Sequence, residues 1–96
     1  MHLILNDEAL AEIVEIRAWL RNQSAQREAA FLAEIERGFN QLRTFPWSGA
    51  SYLRQTRKLL IDRGMFLIVH IVGDDHILVL HVAHTSRKPG YWLEEK

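Results

Sequence analysis

The 96-residue chain predicts an α+β fold: an N-terminal strand, then an antiparallel helical hairpin packed on a mainly antiparallel sheet that ends in a three-stranded meander. Three observations carry that expectation. Apolar residues recur at helical spacing in two stretches separated by Asn22-Gln23-Ser24. Three β-branched apolar runs follow, divided by Asp62-Arg63-Gly64 and Gly73-Asp74-Asp75. A short apolar run, Leu3, Ile4 and Leu5, precedes both. The length suits one domain, residues 1–96.

The first run stops at Asn6, a good helix cap, and Asp7 and Glu8 stand where the positive end of a helix dipole favours acids. A helix over 7–22 follows, with Leu10, Ile13, Val14, Arg17 and Leu20 as its apolar stripe and Ile16 widening it. Arg17 lies in that stripe, where its stem packs while its charge reaches water or a carboxylate. Trp19 falls on the opposite, polar side. Ser24 caps a second helix over 25–43, whose stripe is Phe31, Ile35, Gly38, Phe39 and Leu42. So short a connection makes the helices antiparallel. Gly38 on the buried stripe is expected to let a neighbouring backbone approach. Phe45-Pro46 ends the helix, and 44–55 reads as a loop.

Residues 58–61, 65–72 and 76–83 read as antiparallel strands, with the amino-terminal strand joining them. In the middle strand Phe66, Ile68 and Val72 alternate with Met65, Leu67, Val69 and Ile71, so both sheet faces are apolar. One helical hairpin covers one face. The other is closed either by Trp47, Tyr52, Tyr91 and Trp92 folding back or by a partner.

Twelve basic and twelve acidic residues cancel, so the excess positive charge that drives non-specific nucleic-acid binding is missing. Six bases (Arg37, Arg43, Arg54, Arg57, Lys58, Arg63) against Asp62 over 37–73 would make a local basic surface unless folding disperses them. The chain has no cysteine, which excludes disulfides and thiolate chemistry. The beginning of the chain lacks a secretion signal and no apolar run approaches membrane-span length, so a soluble cytoplasmic protein is expected. His2, His70, His76, His81 and His84 form no metal-ligand spacing, and there is no phosphate-binding glycine loop. Neither metal nor cofactor is expected. His81 and His84 go to opposite faces of a regular strand.

The richest chemistry follows the last strand: His84-Thr85-Ser86-Arg87-Lys88-Pro89-Gly90-Tyr91-Trp92. This tail, together with the acid-rich hairpin, the Phe45-Pro46 break and the Arg57-Lys58-Leu59 strand with Gly64 opening the next, resembles the RelE/ParE superfamily of type II toxins, over residues 1–92. The resemblance implies a small toxin, neutralised by a cognate antitoxin in a hetero-oligomer. ParE-like members act on DNA gyrase; RelE-like members cleave messenger RNA in the ribosome. RelE-like toxins are strongly basic and carry an arginine early in the strand where Leu67 stands here, which favours the ParE-like branch. The expected function is then inhibition of gyrase by binding, with a ParD-like antitoxin as partner and no enzymatic step. Arg87, Lys88, Tyr91 and Trp92 are the expected target contacts, followed by Arg57, Lys58 and Arg63. Trp19, Trp47 and Phe66 are candidates for antitoxin contact. The alternative is a metal-independent, ribosome-dependent endoribonuclease in which Arg87 stabilises the phosphate and Tyr91 or His84 transfers the proton.

Overall fold

The computed structural model describes residues 1–93. Strand β1 (His2–Leu5) leads into helices α1 (Asp7–Gln23) and α2 (Ala25–Thr44), followed by β2 (Ala50–Ser51), β3 (Arg57–Ile61), β4 (Phe66–Val72) and β5 (His76–His84). The sheet order is β1-β5-β4-β3-β2. All neighbours are antiparallel except β1, which runs parallel to β5 with His2 opposite His76 and Leu5 opposite Val79. The expected fold class holds.

The helix ends obey their capping residues. Asn6 Oδ1 accepts from the Ala9 N–H at 2.8 Å, satisfying one of the orphan donors of the first turn. Ser24 serves twice: its N–H closes α1 on the Leu20 carbonyl, and its hydroxyl accepts from Arg27 N–H to open α2. Between the helices, Glu28 accepts from Arg17 at 3.1 Å and from Arg21 at 2.7 Å. Those guanidiniums, Arg21 first, hold the Glu28 carboxyl at about 2, against an ordinary 4.5.

The hairpin lays Ile13, Leu20, Phe31, Ile35, Phe39 and Leu42 on Leu59, Ile61, Phe66, Ile68, Ile77, Val79 and Val82. Each large side chain so buried contributes roughly 1.5–3 kcal/mol. The α1 stripe is rotated from the expected one: Ala9, Ile13 and Leu20 are buried, whereas Leu10 and Val14 are 52% and 56% exposed. Successive residues turn about 100° around a helix, and the line that meets the sheet runs through small Ala9 rather than Leu10. Gly38 also differs. A Cβ there would lie 2.9 Å from Ile68 Cδ1 and 3.0 Å from Ile61 Cγ2, so the glycine admits sheet side chains, not a backbone.

The segment expected as loop contains β2, paired to β3, and a 3-10 turn at Leu53–Gln55. Gly49 permits this pairing, because a Cβ there would stand 2.6 Å from the Lys58 carbonyl oxygen.

A bulge decides which side chains meet. Val69 faces His81 but His70 faces Val79, leaving Leu80 as the extra residue. Val79 therefore points into the helix-covered core, while His81 turns to the other face. His84 returns to the helix side, against the Phe66 ring at 5.2 Å.

Candidate functional site

The second sheet face is closed in its middle by the tail. Trp92 stacks on His81 at 4.7 Å and 26°. Tyr52 follows at 6.0 Å from Trp92, and Lys58 Nζ lies 4.7 Å over the Tyr52 ring. Beneath this cluster Val69 and His81 are buried. Of the four aromatics expected to fold back, Tyr52, Tyr91 and Trp92 do; Trp47 remains 63% exposed. Leu60, Met65, Ile71 and Ile4 are also left substantially exposed.

Two turns bring the tail there. Thr85 N–H donates to the Met65 carbonyl at 2.9 Å, tying the end of β5 to the β3–β4 turn. Gly90 then takes φ +75, a left-handed conformation that glycine adopts without strain, and a Cβ would meet Leu53 Cδ1 at 2.9 Å.

At the centre is a residue the sequence did not single out. Glu12, on α1, accepts from Val82 N–H at 3.1 Å through Oε1, and the same oxygen accepts from His81 Nδ1 at 3.1 Å. Its Oε2 accepts from the Tyr91 hydroxyl. Beyond Val79 the β5 edge has no β1 partner, so the Glu12 carboxylate supplies the acceptor that a neighbouring strand would have given Val82. Arg87 lies over the Tyr91 ring, its Cζ 3.7 Å from the centroid. Glu8, Glu12 and Glu15 line one shallow pocket with Arg87 and Tyr91. In this chain only the acid-rich composition of the first helix hinted at such a row.

The other candidates divide. His84 Nδ1 accepts from Ser86 N–H at 3.0 Å, so its proton is on Nε2. His84 and Arg87 share a pocket with Glu12 and Glu15. Lys58 reaches the tail cluster through Tyr52 and Trp92. Arg57 does not: it is inward of the loop, donating to the Trp47 carbonyl at 3.1 Å and to the Gly49 carbonyl, with its Cζ 5.0 Å from the Trp47 ring centroid. It holds loop to sheet. Arg63 sits in the β3–β4 turn at φ 57 and its charge acts on Glu34, which Arg37 and the Asp62 N–H hold below the usual carboxylate range. The mid-chain cations are thus dispersed among separate partners.

The candidates for antitoxin contact part in the same way. Trp19, 54% exposed, lines a mainly apolar hollow of about 270 Å³ with Leu20, Ala30, Met65 and Phe66, to which Arg27 and Asp62 add charge. Phe66 offers it only an edge, since it is 1% exposed and packs on Phe31 at 4.9 Å. Trp47 follows the far end of α2 from this hollow, roughly 20–25 Å of helix away. Among the described residues no group of three or more His, Cys, Asp or Glu could hold a metal ion. No helix among them is long and apolar enough to cross a membrane.

A two-helix hairpin packed on one side of a five-stranded mixed sheet is the fold expected of a ParE-like toxin of the RelE/ParE superfamily. Residues 3–89 match the family described as the ParE toxin of the type II toxin-antitoxin system, parDE, and the chain belongs to that family. Among solved structures it is similar to a chain of the chromosomal ParDE system from P. aeruginosa, with 18% identity, TM-score 0.74, and coverage of 88% of this chain and 95% of that one. It is also similar to a conserved hypothetical protein from Helicobacter pylori, solved in solution, with 16% identity, TM-score 0.55, and coverage of 91% and 97%. These likenesses concern the fold. A sequence comparison with curated proteins gives no match.

Proposed function

We propose that this toxin inhibits DNA gyrase by binding it through the tail after β5, and that a cognate ParD-like antitoxin neutralises it. The family supplies the class of protein. The observation that supports binding over chemistry is the engagement of Tyr91: its hydroxyl donates to the Glu12 carboxylate. A phosphodiester brought to Arg87 and Tyr91 would meet the Glu8, Glu12 and Glu15 row, and like charges at that range repel. A ribonuclease needs the reverse, cations around the phosphate and a proton donor aimed at it. As a binding surface, the tail offers aromatic and arginine anchors of the kind that dominate protein interfaces.

The test is a supercoiling assay with purified gyrase, relaxed plasmid and ATP. The toxin is expected to abolish supercoiling or accumulate linear plasmid, and Tyr91→Phe is expected to keep most of that effect because the anchoring ring remains. Intact supercoiling by a toxin that still arrests growth, with Tyr91→Phe abolishing the arrest, would overturn the proposal and favour messenger RNA cleavage. For the antitoxin, the apolar hollow beside Trp19 supports docking there of an amphipathic segment.

A further inference from the structure

Strand β1 is the outermost strand of the sheet on its side, paired to β5 alone among the described residues. The Asn6 N–H donates to the Val79 carbonyl at 3.0 Å, and along a strand the main-chain groups that point to one neighbour belong to alternate residues. His2, Ile4 and Asn6 therefore turn theirs toward β5, whereas the N–H and C=O of Leu3 and Leu5 point away from the sheet. The four residues of β1 include no lysine, acid or proline and no bulge, which are among the devices that keep exposed edges from pairing. On the second sheet face an apolar row runs straight to this edge. Ile71 stands opposite Leu78, and Leu78 opposite Ile4. The tail's cover over His81 leaves both ends of the row open, Ile71 at 40% and Ile4 at 48% exposure.

We propose that β1 is a self-association edge, and that its partner is β1 of a second copy of this chain, running antiparallel about a two-fold axis through Ile4. The register follows from the alternation. An axis perpendicular to the sheet keeps each face on its own side, so opposed residues share a face and outward main-chain groups must meet outward ones. Leu3 then exchanges its main-chain bonds with Leu5 of the second copy. Ile4 meets the second copy's Ile4 in the intervening non-hydrogen-bonded pair, where Cα atoms lie about 4.5 Å apart and side chains pack closest. The apolar row becomes continuous across the junction, Ile71, Leu78 and Ile4 of one copy running into Ile4, Leu78 and Ile71 of the other. Charge selects a second copy over an unrelated strand. The same register carries the second copy's Asp7 opposite Met1, at the end of β1 where Met1, His2, Leu3 and Arg43 line an open groove. Arg43 there donates to a neutral partner, Asn40 Oδ1, at 2.7 Å, so an arriving carboxylate meets a cation not already neutralised by that bond. Asp75, which also lines the groove, is engaged by His76 at 2.9 Å. By symmetry the second copy's Arg43 receives Asp7 of the first.

The experiment needs no knowledge of the toxin's target, so its outcome is separate from the gyrase assay. Sedimentation velocity of the free toxin from about 1 μM to about 1 mM, the range in which short interfaces associate, reads the dimer, and residue-resolved amide exchange reads its register. Protection of the Leu3 and Leu5 amides should rise with protein concentration, while the Ile4 amide, already turned to β5, stays unchanged. Ile4→Lys should weaken the dimer by about tenfold or more, a lysine on an edge strand opposing pairing. Asp7→Arg and Arg43→Asp should each weaken it as well, because each sets like charges against one another at both symmetric contacts. Mixed in equal amounts, those two variants should recover association, since in the mixed pair both contacts unite opposite charges. A toxin that stays monomeric throughout would overturn the proposal, as would a dimer that survives Ile4→Lys or leaves the Leu3 and Leu5 amides unprotected. If Ile4→Lys fails to fold, the charge-reversed pair decides: no recovery on mixing overturns the proposal. Protection of those amides only on adding the antitoxin would also overturn it, and assign the edge to a strand of that partner.

Discussion

At position 70 an imidazole occupies a fully buried place on β4, directly opposite Arg57. Its Nδ1 donates to the Ile68 carbonyl at 3.1 Å, leaving Nε2 as a buried acceptor. Burial, and then the Arg57 charge, push the His70 pKa below its ordinary 6.5, opposed by the Ile68 bond. The folded state thus binds fewer protons than the unfolded one just below that value. Stability is complete above pH 6.5 and is lost as pH falls through the depressed folded value. Urea midpoints measured from pH 8 downward should show this decline, and His70→Gln should flatten it; an unchanged slope would refute the assignment. Residue chemistry was legible in the sequence where the groups are neighbours, as in His84, Arg87, Tyr91 and Trp92. Glu12 was not, because its partner Tyr91 lies 79 residues away and it resembles every other acid on α1. The contacts of Arg57 were not legible for a related reason: the loop carbonyls it meets belong to Trp47 and Gly49, which nothing local ties to it.

Among the elements, α2 is held by a balance at Gly38. Alanine there would gain roughly 1 kcal/mol of helix propensity. It would also force Ile68 Cδ1 and Ile61 Cγ2 away from 2.9 and 3.0 Å, an overpacking that costs about 1–3 kcal/mol. Gly38→Ala should therefore be neutral to destabilising by about 2 kcal/mol, measured by chemical denaturation; clear stabilisation would show that the isoleucines yield freely. Asn6→Ala should cost about 1 kcal/mol through loss of the cap bond, and the same measurement checks it. The caps, both helices and four of the five strands follow from local signals, which is why they were legible. The stripe on α1 was misread because Leu10 and Val14 are apolar at helical spacing yet lie off the line of contact. Strand β2 was missed because two residues, Ala50 and Ser51, carry no periodicity, and the Leu80 bulge because nothing local marks it.

Over the whole molecule, the hairpin, the sheet and the tail form three layers, and the ends of the molecule differ in character. The Trp19 hollow lies at the end where α1 meets α2 and the β3–β4 turn; Trp47 lies beyond α2, with the Arg57 guanidinium near its ring. A partner anchored in the hollow should feel Trp19→Ala as a loss of about 2 kcal/mol or more, the threshold of an interface hot spot. Trp47→Ala should change affinity by less. Titration of each variant with the cognate antitoxin checks this, and the reverse ranking would place the docking site at the other end. The sequence foresaw an apolar surplus on the second sheet face without deciding between tail and partner; the tail closes its middle, and Leu60, Met65 and Ile71 remain open.

Strand β1 pairs with β5, His2 beside His76 and Leu5 beside Val79. During synthesis the first strand thus waits for a partner that begins only at residue 76. Contacts that join distant parts of a chain form slowly, since a long loop must close before they reward it. The tail, anchored to Glu12 from 79 residues downstream, arrives later still. A chain interrupted before β5 has neither the closed sheet nor the cover on its second face, so the fold gains its last layer only when residues 76–92 are in place.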